Sequence, residues 1–134
     1  MLPWTCHNLR VPFLYEVDHA ARRVTVLWRN PITVAELIEV LEQQAADGAW
    51  AYGVLHDLRQ ATNAAPSAMA PAFEASRRLS DVHGPRGPIA LVPSLDQVGV
   101  SQMLAIKARE EQRMEVFWSR DDAERWLKTV STTD

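Results

Sequence analysis

The sequence predicts a single α/β domain over residues 1–134, built as a mixed five-stranded sheet with four helices. Two β-type segments open the pattern with no helix between them, and later strands alternate with helical segments. A chain of 134 residues buries roughly two-thirds of the surface that it exposes when unfolded, so its core needs no disulfide or metal. Because crossover connections are right-handed, we expect an antiparallel first pair of strands followed by parallel ones.

Alternating apolar residues predict a hairpin at the start of the sheet. Residues 11–17 and residues 22–29 each place apolar side chains on one face of a strand. The short segment 18–21 joins the two strands as a turn. Residues 1–10 lack this alternation, and we expect a loosely ordered N-terminal segment there.

A helix and a third strand follow the hairpin. Thr33 and Glu36 form a capping box, which marks a helix start because each side chain bonds the other residue's backbone amide. Gly48 is expected to end this helix, since glycine adopts the left-handed backbone found just past a helix end. Residues 52–58 then form an apolar run that predicts the third strand.

The second helix and the fourth strand occupy the middle of the chain. The helix is predicted to begin at Ser67 or Pro71 and to end at His83, before a Gly-Pro pair. Its buried stripe is expected to consist of Phe73, Leu79 and Val82. Residues 88–92 form a short apolar run bounded by prolines, which is typical of a buried strand.

The C-terminal part of the chain predicts two more helices around a fifth strand. Residues 96–111 have helical periodicity, and residues 113–118 alternate as a strand does. Ser119 and Asp122 form a second capping box that opens the last helix. The inner face of that helix follows the helical period and is expected to consist of Ala123, Trp126, Leu127 and Val130.

The charge balance of the chain does not favour nucleic-acid binding. Seventeen acidic residues exceed 14 basic ones, which gives a net charge of −3. Nucleic-acid binding relies on a basic patch that displaces counterions from phosphates. The densest basic pairs, at 22–23 and 77–78, are too small to form such a patch. We therefore expect no nucleic-acid partner.

Cysteine content and hydropathy predict a cytoplasmic protein without a membrane span. Cys6 is the single cysteine and forms no disulfide within the chain, which fits a reducing compartment. No stretch approaches the ~20 apolar residues that a transmembrane helix needs. The N-terminus also lacks the basic start and apolar run of a signal peptide.

The five tryptophans divide into two groups. Trp28, Trp118 and Trp126 lie in periodic apolar segments, where large rings usually pack in a core or an interface. Trp4 and Trp50 lie outside such segments, and we expect both to be partly exposed.

Several segments of the sequence resemble one known family, the SpoIIAA-like proteins related to STAS domains and to anti-sigma-factor antagonists. The resemblance extends from residue 11 to residue 130. It rests on the segments YEVDHAARRVTVLW, ITVAELIEVL, HDLR and PIALV, and above all on the closing EVFWSRDDAERWL. These motifs are structural, so the resemblance bears more on the fold than on an activity.

The resemblance implies a helix-wound mixed sheet close to the CRAL-TRIO lipid-carrier fold, and binding of a small or lipophilic molecule. Anti-sigma-factor antagonists of this type carry a phosphorylated serine in a turn after the third strand, next to an aspartate. The matching stretch here, residues 57–61, retains Asp57 and lacks the serine. This departure argues against a phosphorylation switch.

His56 and Asp57 are predicted at the carboxyl end of the third strand, where open α/β sheets bind ligands. Consecutive strand residues point to opposite faces, so these two side chains cannot form an acid–base pair. The simplest role of Asp57 is to accept hydrogen bonds from amides of the following loop, and that of His56 is to pack in the sheet.

No known catalytic or metal-binding motif is present in the sequence. It lacks a nucleophile elbow, a phosphate-binding loop and a dinucleotide-binding glycine pattern. The pair Cys6 and His7 lacks the second, spaced pair of ligands that a zinc site requires. We therefore predict no enzyme, no metal and no cofactor.

A ligand pocket, if the domain has one, is predicted between the loops that follow the third and fourth strands, because open α/β sheets leave a crevice there. The loop after the third strand offers Asp57 and Arg59 as polar anchors. The apolar wall would consist of Met69, Phe73, Val100 and Met103. The same side chains would equally serve to close the core and leave no cavity.

Three functions remain open at this point. The leading prediction is a non-catalytic STAS-like module that binds a small apolar or amphipathic ligand, or a protein partner. The second is a regulatory partner-switching protein, and the third is a small enzyme that uses His56 and Asp57. We also predict a homodimer, because one sheet face would carry an apolar cluster surrounded by charged residues. This cluster consists of Leu14, Leu27, Leu55 and Phe117.

Overall fold

The computed structural model describes residues 13–29, 32–61, 70–94 and 113–131. Within these ranges it contains the strands β1 (Phe13–Asp18), β2 (Arg23–Trp28), β3 (Gly53–Leu58), β4 (Ile89–Pro93) and β5 (Met114–Val116). It also contains the helices α1 (Val34–Ala46), α2 (Ala70–His83) and α3 (Arg120–Ser131). The predicted segment 1–10 and the predicted helix 96–111 lie outside the described residues, so a count of four helices stays a prediction.

The five strands form one mixed sheet in the order β1-β2-β3-β4-β5. β1 pairs with β2 antiparallel, and β2 to β5 are parallel, which confirms the predicted sheet. The register places Val26, His56 and Leu91 in one row across β2, β3 and β4. The next row contains Leu27, Asp57 and Val92. Neighbouring rows point to opposite faces of the sheet.

Helices α1 and α2 cover one side of the sheet, which we call the α1/α2 face. Its core combines sheet residues with Val40 of α1, and Phe73 of α2 packs against it. The buried sheet residues are Val24, Val26, Trp28, Val54, Ile89, Leu91 and Met114. α1 and α2 also pack on each other through Leu41, Ala45 and Ala75, with Trp50 in the same cluster.

Helix α3 covers β3 and β4 on the opposite side, which we call the α3 face. Ala123 and Leu127 of α3 are fully buried there, as the sequence predicts. They pack against the sheet residues Leu55, Ala90 and Val92. Trp126 lies at the margin of this cluster and is only partly buried, with its ring 5.4 Å from that of Phe117.

The two helix starts that were predicted from capping residues, at Thr33 and Ser119, are confirmed by hydrogen bonds. At α1, the amide of Glu36 donates to Thr33 Oγ1 over 3.2 Å, and the amide of Thr33 donates to Glu36 Oε1 over 3.3 Å. At α3, the amide of Asp122 donates to Ser119 Oγ over 3.2 Å. These bonds satisfy amides that have no partner within a helix.

The prediction for Trp50 was wrong, because this ring is buried. Its Nε1 donates to Ser80 Oγ at 3.2 Å and to the Gly84 carbonyl at 3.0 Å, so α2 supplies the partners that a buried indole needs. Both partners are distant in sequence, and no local pattern around residue 50 indicates them.

The burial predicted for Val82 was wrong, and Trp118 does not lie in the core. Val82 is 75% exposed; it lies in the last turn of α2, whereas the buried residues of this helix are Ala72, Ala75 and Ser76 in its first two turns. Trp118 is 69% exposed, since β5 ends at Val116 and the chain bends before α3. No helix in the described ranges is both long and apolar enough to cross a membrane.

The hairpin turn is fastened to the amino edge of the sheet. Arg22 adopts a positive φ of 53°, and its carbonyl accepts a hydrogen bond from the amide of Gly53. Its guanidinium lies 5.1 Å from the centre of the Tyr52 ring, while Tyr52 Oη and His19 Nδ1 are 2.8 Å apart. The cation–π contact and the hydrogen bonds offset the strain of the left-handed backbone.

Candidate functional site

The candidate site lies at the carboxyl end of β3, where the sheet separates two adjacent polar residues. His56 lies in the row of Val26 and Leu91 and belongs to the α1/α2 face. Asp57 lies in the row that contains Val92, a core residue of the α3 face. The prediction that His56 and Asp57 point to opposite faces is therefore confirmed.

Asp57 is the centre of a cluster of three charged residues, which we call the Asp57 cluster. Its carboxylate accepts hydrogen bonds from Arg59 Nε at 2.9 Å and from Arg59 Nη2 at 2.7 Å. Nη1 of Arg120, the first residue of α3, lies 3.9 Å from Asp57 Oδ2. The amide of Arg59 also donates to Asp57 Oδ1 at 3.2 Å, which confirms the predicted capping of the loop.

The carboxylate of Asp57 stays ionised although it is almost inaccessible to solvent. Burial raises the pKa of this carboxyl, but the hydrogen bonds from Arg59 and the charges of Arg59 and Arg120 lower it further than burial raises it. The net pKa of Asp57 is therefore below its ordinary value, and the pKa of Arg59 is raised by the same contact. At neutral pH the Asp57 carboxylate is therefore negatively charged and lies beside the positive charges of Arg59 and Arg120.

The two arginines of the cluster differ from Asp57 in their exposure. The Asp57 side chain is 1% exposed, while those of Arg59 and Arg120 are 51% and 39% exposed. Arg120 Nε also donates to Glu124 Oε2 at 3.0 Å, one helical turn further along α3. The buried carboxylate thus bonds the guanidinium group of Arg59 and lies beside that of Arg120, which Glu124 holds at the protein surface.

His56 has the opposite environment, although it is the neighbouring residue. Nε1 of the buried Trp28 donates to His56 Nδ1 at 3.0 Å, so His56 carries its proton on Nε2. Burial, together with the charge of Arg86, lowers the pKa of His56 to about 3. His56 is therefore a neutral, hydrogen-bonded core residue at physiological pH.

This arrangement binds charge and does not assemble a catalytic pair. An acid–base pair needs two groups within hydrogen-bond reach of one substrate atom. Here the sheet lies between the His56 ring and the Asp57 carboxylate, and the two arginines occupy Asp57. Among the described residues, no group of three His, Cys, Asp or Glu side chains is placed to hold a metal ion. The pair at 6–7 lies outside those residues.

The residues predicted to form the site are only partly brought together. Asp57 and Arg59 are in direct contact on the α3 side of the sheet. Phe73 packs against the core of the α1/α2 face, so the sheet separates it from Asp57. Met69, Val100 and Met103 lie outside the described residues.

The sequence interpretation missed one residue of this site, Arg120. Arg120 directly follows the capping residue Ser119, so its place at the helix start was predictable. Its contact with Asp57 depends on α3 lying over β3 and β4, which no local pattern encodes. Trp118, two residues before Arg120, is exposed at the bend after β5.

No family model, curated protein or solved structure matches the chain. The residues of the site therefore carry the functional argument.

Proposed function

We propose that the chain is a non-catalytic binding module of the STAS-like type, which takes a small amphipathic ligand at the carboxyl edge of β3. The observation that supports this most is the Asp57 cluster, in which a buried carboxylate bonds the half-exposed guanidinium group of Arg59 and lies 3.9 Å from that of Arg120. Open α/β sheets bind ligands at this edge, and fixed polar groups give such sites their specificity. The sole cysteine of the sequence favours a cytoplasmic location.

The contacts of His56 and Asp57 support a role in binding over one in catalysis. His56 is neutral, buried and bonded to Trp28, while Asp57 is bonded to Arg59. Neither group is poised to move a proton to or from a bound molecule, because each already has a partner. A binding role does not require either His56 or Asp57 to change its protonation state.

The ligand site can be located by NMR titration of the ¹⁵N-labelled chain with octanoate and with 1-octanol. We expect the amide signals of Leu58, Arg59 and Arg120 to shift with at least one of these probes. The amides of Gly53 and Gly87, at the amino edge, serve as the internal control. Shifts confined to the amino edge, or no shift with either probe, would contradict the proposal.

A protein partner is a second candidate, favoured by the exposed ring of Trp118. Large exposed aromatic rings and arginines are enriched where proteins bind each other. A photo-crosslinking amino acid at position 118 should then give a discrete crosslinked product in cells. The same amino acid at Val82, which is also exposed, is the matched control. Equal products at both positions would exclude a specific partner at Trp118.

The predicted homodimer also belongs to this proposal. Of the four apolar residues predicted for this sheet face, α3 covers Leu55, and Phe117 packs against the same cluster. Leu14 and Leu27, in β1 and β2, are partly exposed on it. A second copy placed on this part of the face would bury both leucines. Light scattering should give a molar mass twice that of one chain, and Leu27→Arg should reduce this value to the mass of a single chain. A single-chain mass for the unaltered protein would contradict the dimer.

A further inference from the structure

We infer that the ligand of the Asp57 cluster carries a carboxylate, which Arg59 and Arg120 bind directly. This inference rests on the proposed function and narrows its ligand to amphipathic monocarboxylates. Its basis is the geometry of the two guanidinium groups, the position of Asp57 beneath them and the charges that surround them.

Both guanidinium groups keep donors available after their internal contacts are counted within the described part of the chain. Arg59 uses Nε and Nη2 on Asp57, which leaves the hydrogens of Nη1 and one of Nη2. Arg120 uses Nε on Glu124 and directs Nη1 toward Asp57. The outer edge of Arg59 thus retains the two parallel N–H groups that match the two oxygens of a carboxylate.

Asp57 prepares these donors for a ligand. A surface arginine loses rotamer freedom when it binds an anion, and this loss weakens binding. Arg59 has already lost that freedom, because two of its nitrogens are held by a carboxylate that is 1% exposed. The carboxylate belongs to β3 and is 1% exposed, so we expect it to stay in place when a second anion arrives.

The surrounding charges favour a monoanion over a dianion. Asp121 and Asp122 lie in the first turn of α3, next to Arg120, and Glu124 pairs with Arg120. These carboxylates repel an incoming anion in proportion to its charge, so a doubly charged phosphate is disfavoured more than a carboxylate. Trp118, which is 69% exposed and precedes Arg120 by two residues, offers an apolar surface to the rest of the ligand.

The test compares three eight-carbon probes by calorimetry, each below its micelle concentration: octanoate, 1-octanol and octyl phosphate. We expect octanoate to bind at least about tenfold more tightly than 1-octanol, since each factor of ten reflects one moderate charged contact. Octyl phosphate should bind more weakly than octanoate at about pH 8, where its phosphate is doubly charged.

Variants then assign the binding to the two arginines. Arg120→Gln should weaken octanoate binding by about tenfold, and Arg59→Lys should weaken it by about threefold to tenfold, because lysine keeps the charge but not the fork. Both variants leave Asp57 with a cation, so both are expected to fold. Lys128→Gln removes an exposed cation of the same helix, about two turns beyond Arg120, and it should leave octanoate binding unchanged.

The outcomes separate this inference from the proposed function. Equal binding of octanoate and 1-octanol, or octanoate binding that neither arginine variant changes, overturns the carboxylate and leaves an apolar ligand at this edge. Tighter binding of octyl phosphate than of octanoate overturns the preference for a monoanion. Failure of all three probes to bind removes the small-ligand function itself.

Discussion

The two faces of the sheet at β3 accommodate a buried polar side chain in opposite ways. Each buries a polar residue near the end of a parallel strand, and a buried polar group is costly unless it is bonded. On the α1/α2 face, His56 gives up its charge and accepts a hydrogen bond from Trp28. On the α3 face, Asp57 keeps its charge and forms ion pairs with Arg59 at 2.7 Å and with Arg120 at 3.9 Å. The two neighbouring residues thus differ in whether their partners are exposed: Trp28 is fully buried, and Arg59 is 51% exposed.

The largest expected effect is on the neutral side. Trp28→Ala should lower the free energy of unfolding by about 4 kcal/mol, because it empties a fully buried ring position and leaves His56 Nδ1 without its donor. Trp126→Ala is the comparison on the α3 face, where the ring is only partly buried, and about 2 kcal/mol is expected. Urea denaturation of both variants measures the difference. Equal losses would show that the two faces are packed equally well.

The charged side is tested next by Arg59→Ala. This variant leaves the Asp57 carboxylate buried, with only the longer contact to Arg120, and should cost about 3 kcal/mol of stability. The control is Arg125→Ala, which removes an exposed ion pair and should cost less than about 0.5 kcal/mol. A loss for Arg59→Ala as small as that of the control would mean that Asp57 is hydrated.

The neutral side is also tested by the dependence of stability on pH, because His56 titrates differently in the folded and unfolded chain. The pKa of His56 is lowered from 6.5 to about 3 in the folded chain, so between these values the unfolded state binds more protons. Stability that is complete above pH 6.5 must then fall with decreasing pH, by about 2–3 kcal/mol between about pH 7 and about pH 4.5. His56→Gln, which lacks this titration, should flatten the curve over that range. An unchanged slope in the variant would assign the acid sensitivity elsewhere.

The smallest effect is expected from Asp57→Asn. Asparagine keeps the shape and still accepts the amide of Arg59, while both arginines are exposed enough to be hydrated. We expect a loss of about 1–2 kcal/mol, smaller than that of Arg59→Ala, because no buried charge is left unpaired. Chemical denaturation near neutral pH checks this order. The reverse order would indicate that the arginines, and not the carboxylate, carry the cost of burial.

Local patterns in the sequence were sufficient for the sheet and for the helix starts. Alternation placed the hairpin, and the side chains of Thr33 and Ser119 form the caps that their spacing predicts. Such features depend on residues that are close in sequence. The strand position of Asp57 also followed from a local run of apolar residues, as did the separation of its side chain from His56.

The contacts that were missed join residues that are far apart in sequence. Trp50 is buried because Ser80 and Gly84 supply acceptors, and Arg120 meets Asp57 because α3 returns across β3 and β4. Phe73 was grouped with Asp57 because both flank the same loop, yet they lie on different sides of the sheet. The face on which a helix packs is decided by tertiary structure, so sequence spacing alone cannot group side chains across a sheet.

The strand order has a consequence for how the chain is made by the ribosome. Each strand from β2 to β5 lies beside the strand that precedes it, so every strand can add to an edge that was synthesised earlier. The α3 face is different, because the helix that covers Leu55, Ala90 and Val92 is the last element of the described chain. Until that helix leaves the exit tunnel, Leu55, Ala90 and Val92 lack the cover that Ala123 and Leu127 give them in the folded chain.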